Sequence, residues 1–151
     1  MSREGEAARA LMQEIYLQEL ALSVYRIYLP RLRDAKACAI LETYLKSECF
    51  RTTQIETWLQ RAGVEAASAL RALFRTAGTL YGYLTSWLGT RVMLRIVLSA
   101  SKRASRRACG ALGDGSSPDL VFLSTLRARN EGDLLDSLTQ HLIDTQPRQQ
   151  D

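Results

Sequence analysis

Three prolines in 151 residues, Pro30, Pro118 and Pro147, leave nearly the whole chain free of helix breakers. Between them, apolar residues recur at three- and four-residue spacing, which only a helix gathers onto one face. The chain is therefore expected to be all-α. A first helix is expected from about Glu6 to Leu29, with Leu11, Ile15, Leu22 and the run from Val24 inward, ended by Pro30. Asp34 caps a second, from about Ala35 to Ala62, which buries Ile40, Leu41, Tyr44, Leu45, Ile55 and Leu59 and stops at Gly63. Ala66 to Thr76 reads as a short helix or crossover. A third long helix follows from Gly78 to about Ala108, with Met93, Val97, Ala100 and Ala104 inward. After a loop at Gly110 to Gly115, Ser117-Pro118-Asp119 opens a fourth helix reaching about Asp144, with Leu123, Leu126, Leu134, Leu138 and Leu142 inward. Long helices of this number bury their faces as a four-helix bundle in one domain, residues 1–151 with a core of about 6–145, and the long connection between helices 2 and 3 implies one crossover.

Charge is distributed unevenly along this framework. From Ala66 to Gly113 the chain has 48 residues with no Asp or Glu and eight Lys or Arg, while all 16 acids lie elsewhere. On the third helix Arg91, Arg95, Lys102 and Arg106 form one basic stripe, beside an uncharged run that carries Tyr81, Tyr83 and Trp87. The charge points to an anionic partner, although a solvated helix end has the same pattern, and an aromatic group of this kind suits a lipid interface, an apolar pocket or ordinary core and rim packing. The uncharged run, Thr76 to Thr90, has 15 residues, short of the roughly 20 that span a bilayer. The first residues lack the apolar stretch of a signal peptide. Cys38, Cys49 and Cys109 have neither metal spacing nor a disulfide pattern, and Cys38 and Cys49 read as buried structural thiols. A cytoplasmic location, peripheral to the inner membrane, is the expectation.

Glu19 in Glu19-Leu-Ala-Leu-Ser-Val-Tyr25-Arg-Ile-Tyr28, Glu48-Cys-Phe-Arg51, the glycine-rich apolar stretch from Gly78 to Leu98 and Glu131-Gly-Asp-Leu134 together resemble the ferritin-like demethoxyubiquinone hydroxylase family. The resemblance covers most of the chain. It implies a ferritin-like bundle with a di-iron site made of one glutamate from each of two helices and a Glu-x-x-His from each of the other two. It also implies a third helix that associates with membrane. Against that pattern, Arg51 and Leu134 stand in the histidine places, and the third-helix glutamate would fall between Val97 and Ser101, where no acid exists. Glu19, Glu48 and Glu131 remain as former ligands. Three carboxylates without imidazole make a poor iron site for oxygen chemistry. Arg51 offers a substitute, because its guanidinium can neutralise Glu48, Glu19 or both.

Local context supplies plainer readings of the same residues. Glu48 and Arg51 at i, i+3 also fit a surface pair. Glu19 fits either a half-buried position or an exposed boundary one. Glu131 sits among Arg127, Arg129 and Asp133, as on a solvated face, and His141 lies among polar residues near a helix end, as a surface histidine does. No Ser/His/Asp set, phosphate-binding glycine loop or zinc motif is present. The leading expectation is a non-catalytic, metal-free and cofactor-free accessory or scaffold protein. Its partner would be a hydrophobic small molecule, an anionic membrane surface or a protein subunit, including a second copy of the chain, met through the third helix. The alternatives are a divergent quinone-pathway hydroxylase with an atypical di-iron site, and a basic adaptor for nucleic acid. The last is the weaker, because the basic segment lacks interleaved aromatics.

Overall fold

In the computed structural model, residues 3–110 and 117–146 are described, and among them the chain forms five α-helices and no strand. They are α1 (Arg3–Tyr28), α2 (Ala35–Arg61), α3 (Ser68–Ser86), α4 (Thr90–Gly110) and α5 (Pro118–Thr145), with a 3-10 turn at Leu29–Arg31. Of the expected loop at 110–115, Gly110 is the last residue of α4 and 111–115 fall outside the described residues, as do the chain ends and the side chain of Cys109. Two starts follow the expected capping chemistry. The Asp34 side chain accepts from the N–H of Ala37, and the Ser117 hydroxyl accepts from the N–H of Leu120 with Pro118 behind it. Gly63 ends α2 in the left-handed conformation, φ 70°.

The expected third helix is two helices. α3 already begins at Ser68, inside the segment read as a short helix or crossover, and the chain reverses at Trp87-Leu-Gly89, where Gly89 adopts φ 93°. A continuous apolar run does not distinguish one long helix from two in succession, and here a single glycine makes the difference. The connection between α2 and α3 is correspondingly short, Ala62 to Ala67.

Cross-helix pairs fix the directions. Glu14 and Gln18 of α1 face Arg51 and Glu48 of α2, so these helices are antiparallel. Asp34 at the cap of α2, and Tyr44 and Glu48 within it, face His141, Glu131 and Asn130 of α5, again antiparallel. Thr90 starts α4 beside Arg33, and Ser101 meets Glu131, so α4 descends with α2 and against α5. The main core draws on these four helices: Leu22, Tyr25 and Tyr28 from α1, Leu41 and Leu45 from α2, Met93 and Val97 from α4, and Leu134 and Leu138 from α5. A second cluster, with Ile15, Ile55, Leu59 and Leu123, closes the other end.

α3 runs parallel to α1 along its whole length. Tyr16 stacks on Phe74 with ring centroids 5.7 Å apart, and the Tyr28 and Thr85 hydroxyls are 2.6 Å apart at the far end. Between them Gly78 and Gly82 lie against the α1 backbone: a Cβ on Gly78 would stand 2.4 Å from the carbonyl oxygen of Leu20, and one on Gly82 3.0 Å from Cβ of Ile27. The glycines thus set how closely α3 docks. Only Gly78, Gly82 and Ser86 of this helix are buried.

Candidate functional site

A layer of polar side chains crosses the middle of the four-helix core. Glu48 and Arg51 on α2 are fully buried, at 0% and 1% exposure, and not the surface pair that their spacing also allowed. Arg51 Nε donates to both carboxylate oxygens of Glu48 at 3.1 and 3.2 Å, and Nη2 adds a third bond at 2.9 Å. Its Nη1 reaches Glu14 of α1, which also pairs with Arg127 of α5 at 3.2 Å. The remaining lone pairs of Glu48 are met by the Gln18 amide from α1 and by Asn130 Nδ2 from α5 at 2.8 Å. Burial works against the Arg51 charge, but Glu48 and Glu14 outweigh it and hold its pKa above the ordinary arginine value. The guanidinium fork is what makes a buried glutamate tolerable here.

Glu131 forms the other half of the layer. It is buried, not solvated as its charged neighbours suggested: α5 turns Arg129 and Asp133 outward, while the half-buried Arg127 pairs with Glu14. Tyr44 Oη donates to Oε1 at 2.6 Å, and Ser101 Oγ donates to Oε2 at 2.9 Å. Ser101 comes from α4, within the stretch where a third-helix glutamate was sought, and is fully buried. Burial pushes the Glu131 carboxyl up, outweighing the bonds from Tyr44 and Ser101, and Glu48 adds to the rise. Native Glu131 therefore holds its proton more tightly than the unfolded chain does. Its stabilising contribution is complete below the unfolded value of about 4.3 and is lost as pH rises through the folded value. Glu131→Gln should preserve both bonds, since Ser101 can accept from the new amide while donating to the Glu131 carbonyl, 3.1 Å away. Urea denaturation across pH is expected to show the variant more stable than wild type at neutral pH, with the gap closing in acid. A less stable variant at pH 7 would mean that the charge itself is required.

The other singled-out residues lie elsewhere. Glu19 does not meet Arg51. It sits one position away from the inward Gln18, at the α1–α3 seam, where Arg71 binds it at 2.6 and 3.0 Å and Arg75 at 3.2 Å. Burial opposes its charge, but Arg75 and Arg71 together hold its carboxyl below the usual range. Leu134 is buried in the main apolar cluster next to the polar layer. His141 is buried at the end of the bundle, with Nε2 2.6 Å from Oδ2 of the capping Asp34, and is not the expected surface histidine. Cys49 is exposed and Cys38 half-buried, so neither is the buried thiol expected. Gln18, Asn130, Ser101 and Glu14 escaped sequence reasoning. A usable signal existed for three of them: Gln18 lies between Ile15 and Leu22, Asn130 four before Leu134, and Ser101 four after Val97, each a polar residue interrupting an apolar stripe.

The residues do not suit a di-iron centre. Glu48 and Glu131 are the carboxylates of the layer's core, no imidazole is near, and the Arg51 cation is already committed to Glu48 and Glu14. Among the described residues no group of three His, Cys, Asp or Glu is placed to hold a metal ion.

The outer surface of α3 is the second notable feature. Leu73, Leu80, Tyr81, Tyr83 and Leu84 face solvent, as do Trp87 at 88% and Leu88 in the following turn. Arg91, Arg95, Lys102 and Arg106 are all exposed along α4. Among the described residues no helix is long and apolar enough to cross a membrane. No family model matches this chain, and no curated protein or solved structure matches it.

Proposed function

We propose that this chain is a metal-free, non-catalytic bundle of ferritin-like design that works as a peripheral membrane accessory protein, docking on anionic lipid through α3. The ferritin-like half of the reading, in which the di-iron ligands have been lost, is supported by position. Four core helices run in the order up, down, down, up, and α3 makes the crossover between the two descending helices. At one level they supply Gln18, the Glu48-x-x-Arg51 pair, Ser101 and the Glu131-x-x-Leu134 pair, where a di-iron bundle has Glu, Glu-x-x-His, Glu and Glu-x-x-His. Gln18, not Glu19, takes the α1 position. Metal analysis of the purified protein is expected to find no stoichiometric iron or manganese.

One observation carries the docking half. α3 is amphipathic with its small residues inward, so the glycines hold it to α1 while leucines and aromatics form the outer face. A water-soluble helix does the reverse. The acid-free stretch of sequence that forms α3 and α4, with Arg91, Arg95, Lys102 and Arg106 exposed on α4, supplies charge complementarity to an anionic bilayer. Vesicle flotation provides the test. Wild type should float with phosphatidylcholine vesicles containing phosphatidylglycerol, and less as salt rises. Leu80→Ser/Leu84→Ser/Trp87→Ser removes only exposed apolar groups and should lower partitioning at least about tenfold, since each buried large side chain contributes about 1.5–3 kcal/mol. Failure of wild type to float, with a dimer that the triple variant abolishes, would transfer this face to a second copy of the chain and end the membrane reading.

A further inference from the structure

At the end of the bundle where α1 leads into α2 and α3 into α4, the two turns enclose an open cleft of about 830 Å³. Arg31 and Arg33 line it from one turn, Trp87 and Leu88 from the other, and Thr90 and Arg91 from the start of α4. No carboxylate lines it, and among the described residues none pairs with these three arginines. Elsewhere this protein places buried or seam arginines on acids: Arg51 on Glu48 and Glu14, Arg71 on Glu19 and Glu56. The three at the cleft are left for something from outside.

The cleft is built, not merely charged. The backbone N–H of Arg33 donates to Thr90 Oγ1 at 3.3 Å, tying the two turns together. Arg31 lies over the Tyr83 ring, 4.7 Å from its centroid, and donates through Nη1 to the Ile27 carbonyl at 3.1 Å, which fixes its guanidinium at the rim. Three arginines line the one space, and guanidinium suits the tetrahedral oxygens of phosphate, which arginine binds in a bidentate way. The N-terminus of α4 lies at the same end, where Thr90 and Arg91 line the cleft. The other wall is apolar: Trp87 and Leu88 are exposed beside the cleft and continuous with the outer face of α3.

We infer that this cleft is a phosphate-ester site that holds the headgroup phosphate of an anionic lipid while Trp87 and Leu88 enter the acyl region beside it. The inference rests on the membrane reading for the source of its phosphate, though not for the chemistry of the site. It turns a general attraction to charge into a seated contact with one headgroup.

The test compares two variants of equal net charge on vesicles of phosphatidylcholine with phosphatidylglycerol. Arg33→Gln/Arg91→Gln empties the cleft of two exposed cations. Lys102→Gln/Arg106→Gln removes two from the other part of the α4 stripe. Diffuse attraction scales with charge near the surface and treats the pairs alike. The seated contact predicts a loss of at least about tenfold in partitioning for the first pair and under about threefold for the second. Equal losses, or no loss from the first pair, overturn the cleft and leave the membrane reading standing. If wild type does not float, the membrane reading fails by itself. The cleft is then decided by titrating soluble dihexanoyl phosphatidic acid and inorganic phosphate while following the Arg33 and Arg91 side-chain NMR signals. Shifts with either place a free phosphate in the cleft, and unchanged signals overturn it.

Discussion

Arg51→Met is expected to destabilise the protein by about 3–5 kcal/mol, measured at neutral pH by urea denaturation. The substitution is close in volume, so the loss is electrostatic and not a cavity effect. Glu48 stays fully buried and keeps Gln18 and Asn130 as donors, but loses three bonds from the one cation that neutralises it. Glu14 keeps only Arg127. Removing one member of a buried pair leaves an uncompensated charge, whereas removing both takes away the desolvation penalty along with the attraction. Glu48→Met/Arg51→Met should therefore recover most of the stability, although Gln18 and Asn130 then lose an acceptor. A loss below about 1 kcal/mol for the single variant would mean that water replaces the guanidinium freely, and the picture of Arg51 as the substitute for a metal would fall with it.

Glycine-to-alanine substitution should give opposite signs at two helical positions. At Gly78 the new methyl would meet the Leu20 backbone carbonyl at 2.4 Å, where nothing flexible can yield, so α3 must move off α1. The expected cost is about 1–3 kcal/mol, outweighing the helix-propensity gain of about 1 kcal/mol. Displacement also strains the Arg71 and Arg75 bonds to Glu19 and the Tyr28–Thr85 contact, so faster hydrogen exchange should be concentrated in α3. At Gly132, within α5, an added Cβ meets nothing within 4 Å, and Gly132→Ala should stabilise by about 0.5–1 kcal/mol. A stabilising Gly78→Ala would show that the α1–α3 seam is looser than its geometry indicates.

Most helix boundaries were legible in the sequence because they depend on local chemistry. Asp34 accepts from a backbone N–H three residues on, Ser117 does the same with Pro118 after it, and Gly63 reverses the chain, all without reference to distant residues. The division between α3 and α4 was missed because Gly89 lies in a run whose apolar pattern continues on both sides. The exposed state of Tyr81, Tyr83 and Trp87 was open from sequence, since an aromatic group suits a core, a pocket or a lipid face equally.

The acid-free stretch, the long helices and the Glu48-x-x-Arg51 spacing were determined by the sequence alone, because each is a property of neighbouring residues. Which partner each charge meets was decided only by the tertiary structure. Arg51 spans to Glu14 instead of Glu19 because antiparallel packing of α1 and α2 puts positions 14 and 18 on the inner face, one step round the helix from 19. Glu19 instead finds two arginines on a helix more than 50 residues away, brought there by two glycines small enough to let α3 lie against α1. Periodicity names a face, but only packing decides what that face meets.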